Sequence, residues 1–427
     1  MPIGDNSFLW HVRAGIVQLN DGQVLTADPF SFTALGEPWR TQSWLAELGY
    51  GWLFELIGGI AWVPAMKFLA IGMTLLLLGL VAYRASAQSH GITLVVLLLL
   101  AWQAATFSIA RPALLGFVLF AACVALLATT RRPLWALPML FSLWASVHGG
   151  FVVGLAYVVL DGIRRRSVRQ LVAAMAAGLA TAFTAHGIGA WGLLWRFAQS
   201  REALSRIAEW QPPDMLSLAV LPFLLLLIGL VVAGAYGRLQ RQDLWVVIPF
   251  LLFGLSAGRN VWLAVMALAP VLVGAAARQI DAPTAQKRES FTINWAIAAV
   301  LIGFVVVVLV DDPSLREDRF PSDAALAALS DGYQWNDSAV GGYLIYRSDL
   351  GRLVYGDDRA ELYGPDWYNA YVDMEFGIGV ESGLEAYGVD QAILRVDSPI
   401  GGYLGLLGWD TRYEDEFFLV MSAPGSR

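Results

Sequence analysis

The chain has a single cysteine, Cys123, among 427 residues, and only 15% of its residues are charged. One thiol excludes an internal disulfide and any multi-cysteine metal or iron-sulfur site. A soluble chain is nearer ~25% charged, so the low value excludes an ordinary soluble enzyme and points to a polytopic membrane protein. The four histidines fall in no HExxH-type spacing, which leaves no metal motif, and no Walker sequence marks a nucleotide enzyme. A formal net charge of -7 argues against nucleic acid as a partner.

What the chain has in quantity is apolar sequence: 57% of it is hydrophobic, with a mean hydropathy of +0.58. Ten apolar runs are candidate membrane segments, at 62–83, 91–109, 111–128, 133–147, 149–163, 168–186, 216–237, 243–258, 260–277 and 293–310. The fourth and fifth are kept apart because one helix over both would be about 46 Å long, well beyond a ~30 Å hydrocarbon core. It would also contain the polar, flexible His148-Gly149-Gly150. With the split, Arg84, Arg131-Arg132, Arg164-Arg165-Arg166, Arg169, Arg238, Arg241, Arg278 and Lys287-Arg288 fall on one side, as cytoplasmic loops require. The alternation then places the N-terminal residues, the Arg111 and His148 turns, Arg259-Asn260 and everything after 311 outside.

The predicted organisation is mostly α. An extracytoplasmic N-terminal loop (1–61) precedes a polytopic transmembrane helical domain (62–310, with an outer loop at 187–215), and a small extracytoplasmic α/β domain (311–427) closes the chain. Within the first loop, residues 45–60 read as a helix lying in the membrane interface, Glu47 and Glu55 leaving a wide apolar face with Leu48, Trp52 and Leu56. Segment 190–208 has the same character. After Val310 acidic residues accumulate, strand-like runs occur at 343–346, 353–355, 392–394 and 417–420, and Asp323 reads as the cap of a helix over 324–329.

Several residues carry candidate chemistry. Asp5 and Asp28, near His11, Arg13 and Trp39-Arg40, supply carboxylates able to take a proton from an acceptor hydroxyl; each also reads as a cap or turn residue. Arg111 and Arg259 stand at outer turns between apolar runs, where a permanent charge snorkels, pairs or binds phosphate. His148 and His186, each followed by glycine, and Glu209-Trp210 ahead of two prolines, are either substrate contacts or polar helix ends and interfacial anchors. In the last domain, Gly341-Gly342-Tyr343-Leu344 and Asp357-Asp358-Arg359 with Tyr363-Gly364 offer sugar contacts or, preferably, a salt-linked support.

These segments, with Asp28-Pro29-Phe30-Ser31-Phe32, Gly36-Glu37-Pro38-Trp39, Ala110-Arg111-Pro112, His148-Gly149-Gly150-Phe151, His186-Gly187 and Arg259-Asn260, resemble bacterial polytopic proteins related to the GT-C glycosyltransferases. The likeness runs through nearly the whole chain. It implies a fold of GT-C type in a bacterial plasma membrane, with catalytic groups in the first outer loop and a polyprenyl-phosphate sugar as donor. The acceptor would be an envelope glycan or lipid. On this sequence the resemblance makes Asp5 the base, with Asp28 as the alternate carboxylate; the reading of the residues themselves adds Arg111 and Arg259 as donor-phosphate ligands and His11, His148, His186, Glu209 and Trp210 as substrate contacts. Cofactor use is left open, and no metal is assigned. It also implies an apolar helix of about 20 residues upstream of Asp5. The other reading is a non-catalytic carrier or assembly protein for envelope glycans.

Overall fold

The computed structural model describes residues 3–86, 89–107, 109–129, 132–192, 195, 208–278, 314–347 and 353–425. The chain divides into two compact units, one built from Met1–Trp62, Trp191–Leu204 and Asp312–Arg427, the other from Val63–Ala190 and Ser205–Asp311. The two ends of the sequence, expected as separate domains, therefore belong to one unit.

Two helices open the first unit, α1 (Asn6–Asp21) and α2 (Trp44–Ile57). They cross at paired glycines: a Cβ on Gly15 would lie 1.8 Å from the Glu47 carbonyl oxygen, and one on Gly51 would lie 2.4 Å from the Gly15 carbonyl carbon. Trp52 and Leu56 remain exposed, as the interfacial reading of α2 requires. Glu47 departs from it: the side chain is fully buried against α1 and does not sit on a polar outer face.

The regular structure of the second unit's described residues is helical: α3 (Val63–Ala85), α4 (His90–Thr106), α5 (Ala113–Ala128), α6 (Ala136–Val147), α7 (Phe151–Arg164), α8 (Val168–Ala180), α9 (Leu221–Ala235), α10 (Leu244–Ser256) and α11 (Val261–Ala277). Nine of the ten apolar runs thus contain a helix, while 293–310 lies outside the described residues. The break at His148-Gly149-Gly150 is real, since α6 stops at Val147 and α7 begins at Phe151. Among the described residues, two helical stretches are long and apolar enough to cross a membrane, Val63–Ala85 and Gly258–Ala277. The others are shorter; α6, with 12 residues, is about 18 Å long.

Outward faces of this unit carry large apolar side chains at helical spacing. Leu69, Met73, Leu76 and Leu80 do so on α3, and Val168, Val172, Met175 and Leu179 on α8. Among the described residues of this unit, the buried charged side chains, Asp161 and Asp243, lie at one end. Asp161 is fully buried and accepts from Arg164 Nε at 2.9 Å, Arg165 Nε at 2.6 Å and Gln170 Nε2 at 3.0 Å. Asp243 joins the same network, accepting from Arg164 at 3.2 Å and Arg278 at 3.1 Å, so the last turns of α7 and α11 meet the start of α10.

Beyond the second unit the chain returns to the first with α12 (Asp323–Ala327), β1 (Gln334–Asn336), α13 (Ser338–Tyr346), α14 (Ala360–Tyr363), α15 (Pro365–Glu375), α16 (Val380–Ala386), β2 (Gln391–Arg395), α17 (Pro399–Leu406), β3 (Asp410–Glu414) and β4 (Phe418–Ser422). The sheet order is β1-β2-β4-β3, with β1 parallel to β2 and the other pairs antiparallel. The runs at 392–394 and 417–420 fall on β2 and β4, the buried centre of the sheet. The run at 343–346 is instead the end of α13. Its apolar residues are too few for their period to separate strand from helix; α13 packs on α1, and Asn6 Oδ1 accepts from Tyr343 N at 2.9 Å. The cap of α12 is Ser322, which accepts from Ala325 N at 3.2 Å; Asp323 is the first helical residue.

Candidate functional site

In the second unit, the end remote from Asp161 gathers residues that are far apart in sequence. Arg111 precedes α5, Glu209-Trp210 lies in a 3-10 turn ahead of α9, and Arg259 lies in a 3-10 turn (Gly258–Asn260) leading into α11. A backbone bond from Gly258 N to Gln211 O, 2.8 Å, ties the last two segments together. Glu209 Oε1 then sits 3.5 Å from Arg111 Nη1 and 3.7 Å from Arg259 Nη1, and the Arg259 guanidinium lies 4.2 Å from the Trp210 ring centroid.

Among the described residues the cluster brings together two cations and one carboxylate. Both ion pairs are longer than the ~2.7–2.9 Å of a strong charge-assisted bond, and all three side chains are between 31% and 42% exposed. Pairs of that kind contribute about 1 kcal/mol or less, so Glu209 holds the two guanidinium groups only weakly. Sequence reasoning named all four residues, and the fold brings them together.

His148 lies at the same end, in the turn between α6 and α7. Its Nδ1 accepts from Gly150 N at 3.0 Å, which in the neutral ring leaves the proton on Nε2. Gly116 on α5 makes room for it, since a Cβ there would be 3.2 Å from Nδ1. His186 follows α8 in a run of turns and is half-buried. The spacing Gly254-Leu255-Ser256-Ala257-Gly258 resembles that of a hydrolase nucleophile, a match the motif reading missed. Ser256 ends a helix and donates to Phe253 O at 2.7 Å, so the strand-turn-helix setting of such a nucleophile is absent.

In the first unit, the remaining candidates separate into two sets. Asp28 is buried and turned inward: it accepts from Phe30 N at 3.2 Å, Ser31 N at 3.0 Å and the Ser31 hydroxyl, and pairs with Arg359 Nη1 at 2.7 Å. Arg359 is held in turn by Asp357, with Nε at 2.8 Å and Nη2 at 2.6 Å, and lies 4.5 Å from the Trp39 ring centroid. Burial alone would lower the Arg359 pKa, but Asp357 and then Asp28 push it well above its ordinary value. A carboxylate so engaged cannot reach an acceptor hydroxyl, and this geometry makes Asp28 an anchor of the loop. Asp358 belongs to the same anchor, accepting from the Ser7 hydroxyl and from Trp10 Nε1 at 2.9 Å. The salt-linked contacts of the Asp357-Asp358-Arg359 run are thus with the N-terminal segment of its own unit, and not with the membrane part that the sequence reading has it support.

His11 is buried as well, its Nδ1 2.8 Å from Glu47 Oε1, while Gln18 Nε2 donates to Glu47 Oε2 at 2.9 Å and Thr41 donates to Oε1. It holds α1 to α2, which is a structural position and not one facing a ligand. Asp5 is less buried than either. It occupies the residue before α1 in extended backbone, makes no side-chain cap and is only half-buried. Tyr50 is its neighbour, the phenol pKa pushed up by burial first, then by Asp5 and by Glu47.

Comparison with known proteins finds no family model that matches the chain and no curated protein similar to it in sequence.

Proposed function

We propose that the chain is a GT-C-like glycosyltransferase of a bacterial plasma membrane that moves a sugar from a polyprenyl-phosphate donor to an envelope acceptor on the outer face. The observation that carries this reading is the convergence of Arg111 and Arg259 on Glu209, with Trp210 stacked beside them. A departing lipid phosphate needs fixed cations where its charge develops, and two guanidinium groups at a polar edge supply them. Asp5 is the base of this proposal, because Asp28 is committed to Arg359.

Membrane insertion is part of the same reading. The outward apolar faces of α3 and α8 would form a large exposed hydrophobic surface in water, whereas lipid accommodates them. The polar ends of α11 support it too: Arg259 and Arg278 bracket a helix of 17 residues, about 26 Å long, close to a hydrocarbon core. Multi-pass topology with the C-terminal domain extracytoplasmic follows from the arginine alternation.

The test is a radiolabelled-donor assay in one detergent, with polyprenyl-phosphate binding measured alongside. Arg111→Gln and Arg259→Gln should each weaken binding and turnover, because an uncharged amide cannot pair with phosphate through a fork. Asp5→Asn should bind normally and lose roughly 10²- to 10⁴-fold in rate. Undiminished phosphate binding by both arginine variants would sink the donor site. Binding of glycan with no transfer across a broad donor panel would favour a non-catalytic carrier, a reading that the structural burial of Asp28 also suits.

A further inference from the structure

In the first unit, two carboxylates meet at the start of α13. Asp337 occupies the residue before the helix, in extended backbone, and makes no side-chain cap. Glu375, at the end of α15, takes the place of that cap, its Oε1 accepting from Ser338 N at 2.7 Å. Asp337 is buried and Glu375 half-buried. Neither forms an ion pair among the described residues. Arg395, the cation beside Asp337, offers it a backbone N–H at 3.5 Å, while its guanidinium is engaged elsewhere, Nε with Asp397 at 3.0 Å and Nη1 with Asp318 O at 3.0 Å. Tyr371 and Tyr368 on α15 also face the pair; the Tyr371 hydroxyl donates to Asn336 O at 2.7 Å, and neither phenol supplies positive charge.

Two carboxylates withdrawn from water beside each other, with no cation bound to either, resist ionising together. The direction at Asp337 agrees. Burial first, and then the charge of Glu375, push its pKa up to about 7; Arg395 offsets part of the rise and Asp397 adds to it. Burial raises Glu375 as well, against the bonds from Ser338. The consequence reaches beyond one helix. Ser338 O accepts from Asn6 Nδ2 at 2.9 Å, and Asn6 Oδ1 accepts from Tyr343 N at 2.9 Å, so the start of α1 is seated on α13.

We propose that Asp337 and Glu375 share one proton at mildly acidic pH and act as a pH-sensitive latch, which secures the starts of α13 and α1 while the proton is bound and loosens them when it is lost. The latch does not depend on the transferase reading. An unfolded carboxyl releases its proton near pH ~4, whereas the folded pair keeps one up to about pH 7. Between those values the folded state holds the extra proton. Stability therefore falls as pH rises, by at most about tenfold in the folding equilibrium per pH unit, and levels off above the upper value.

Thermal melting of the whole protein in a maltoside detergent, between about pH 5 and about pH 8, tests the latch. The wild-type midpoint should fall with rising pH up to about 7. Asp337→Asn, which cannot ionise, should flatten that fall, and Glu375→Gln, which keeps an acceptor for Ser338 but not the charge, should reduce it. The infrared carbonyl band of a protonated carboxyl, read at mildly acidic pH, should be weaker in Asp337→Asn than in wild type. Hydrogen exchange of the wild type alone gives the local readout. Corrected for the intrinsic pH dependence of exchange, peptides from α13 and the start of α1 should lose protection over the same range, and lose more than peptides from β4. An equal pH dependence of the midpoint in wild type and both variants, an undiminished carboxyl band, or unchanged protection of α13 and α1 would each overturn the proposal. If one variant does not fold, the other and the exchange of the wild type still decide.

Discussion

At the scale of single residues, the carboxylates that look alike in the sequence differ by what surrounds them. Asp28 sits among backbone donors and Arg359 and is buried. Asp5 is half-buried at a helix start. Removing one member of a buried ion pair strands the other, at a cost of about 3–5 kcal/mol. Arg359→Gln, which abandons both Asp28 and Asp357, should therefore lower the thermal midpoint strongly. Asp28→Asn should destabilise by less, roughly 1–3 kcal/mol, since the amide keeps the size and Arg359 keeps Asp357 as its counter-charge. Asp28→Asn protein that unfolds at the wild-type temperature would contradict the anchoring role. Neither partner was legible alone, because the pair joins residues 331 positions apart.

At the scale of elements, backbone approach determines how α1 packs. The Gly15–Gly51 crossing leaves no space for a methyl group, because the obstructing atoms are backbone and cannot rotate away. Gly15→Ala and Gly51→Ala should each destabilise by about 1–3 kcal/mol or more. Gly49 lies in the same helix with nothing within 4 Å of its missing Cβ, so Gly49→Ala should raise stability by up to ~1 kcal/mol. Opposite signs in a melting experiment would support this crossing, and a gain from all three would argue for a propensity effect alone. Gly342 makes a similar contact, a Cβ there falling 2.4 Å from Asn6 O. The Gly341-Gly342-Tyr343-Leu344 run, expected as a strand, is thus a helix packed closely on the start of α1. Strands β1 and β3 were missed in the sequence for a related reason: one has only three residues and the other is largely exposed, so neither shows a run of buried apolar side chains.

At the scale of the whole molecule, the reading of α8 as a membrane segment makes a direct prediction. Cysteine at Ile188, an exposed position beyond its C-terminal end, should react with an impermeant thiol reagent in intact cells. Cysteine at Arg169, exposed at its N-terminal end, should react only after permeabilisation; the buried Cys123 is first replaced by Ala. Labelling of both from outside would defeat the proposed topology. The positions of the helices in the second unit, including the break at His148-Gly149-Gly150, were determined by the sequence itself, because apolar runs and the residues that interrupt them are local properties of the chain. The abrupt rise in acidity after Val310 was local in the same sense. What only the tertiary structure decided is which distant groups meet. Residues 1–62 join 312–427 in one unit, Asp28 faces Arg359, and Arg111, Glu209 and Arg259 draw together across 148 positions of sequence. A buried or half-buried charge must find a partner to offset its lost hydration, yet the sequence shows only that one is needed, and the packing of helices and loop ends selects it.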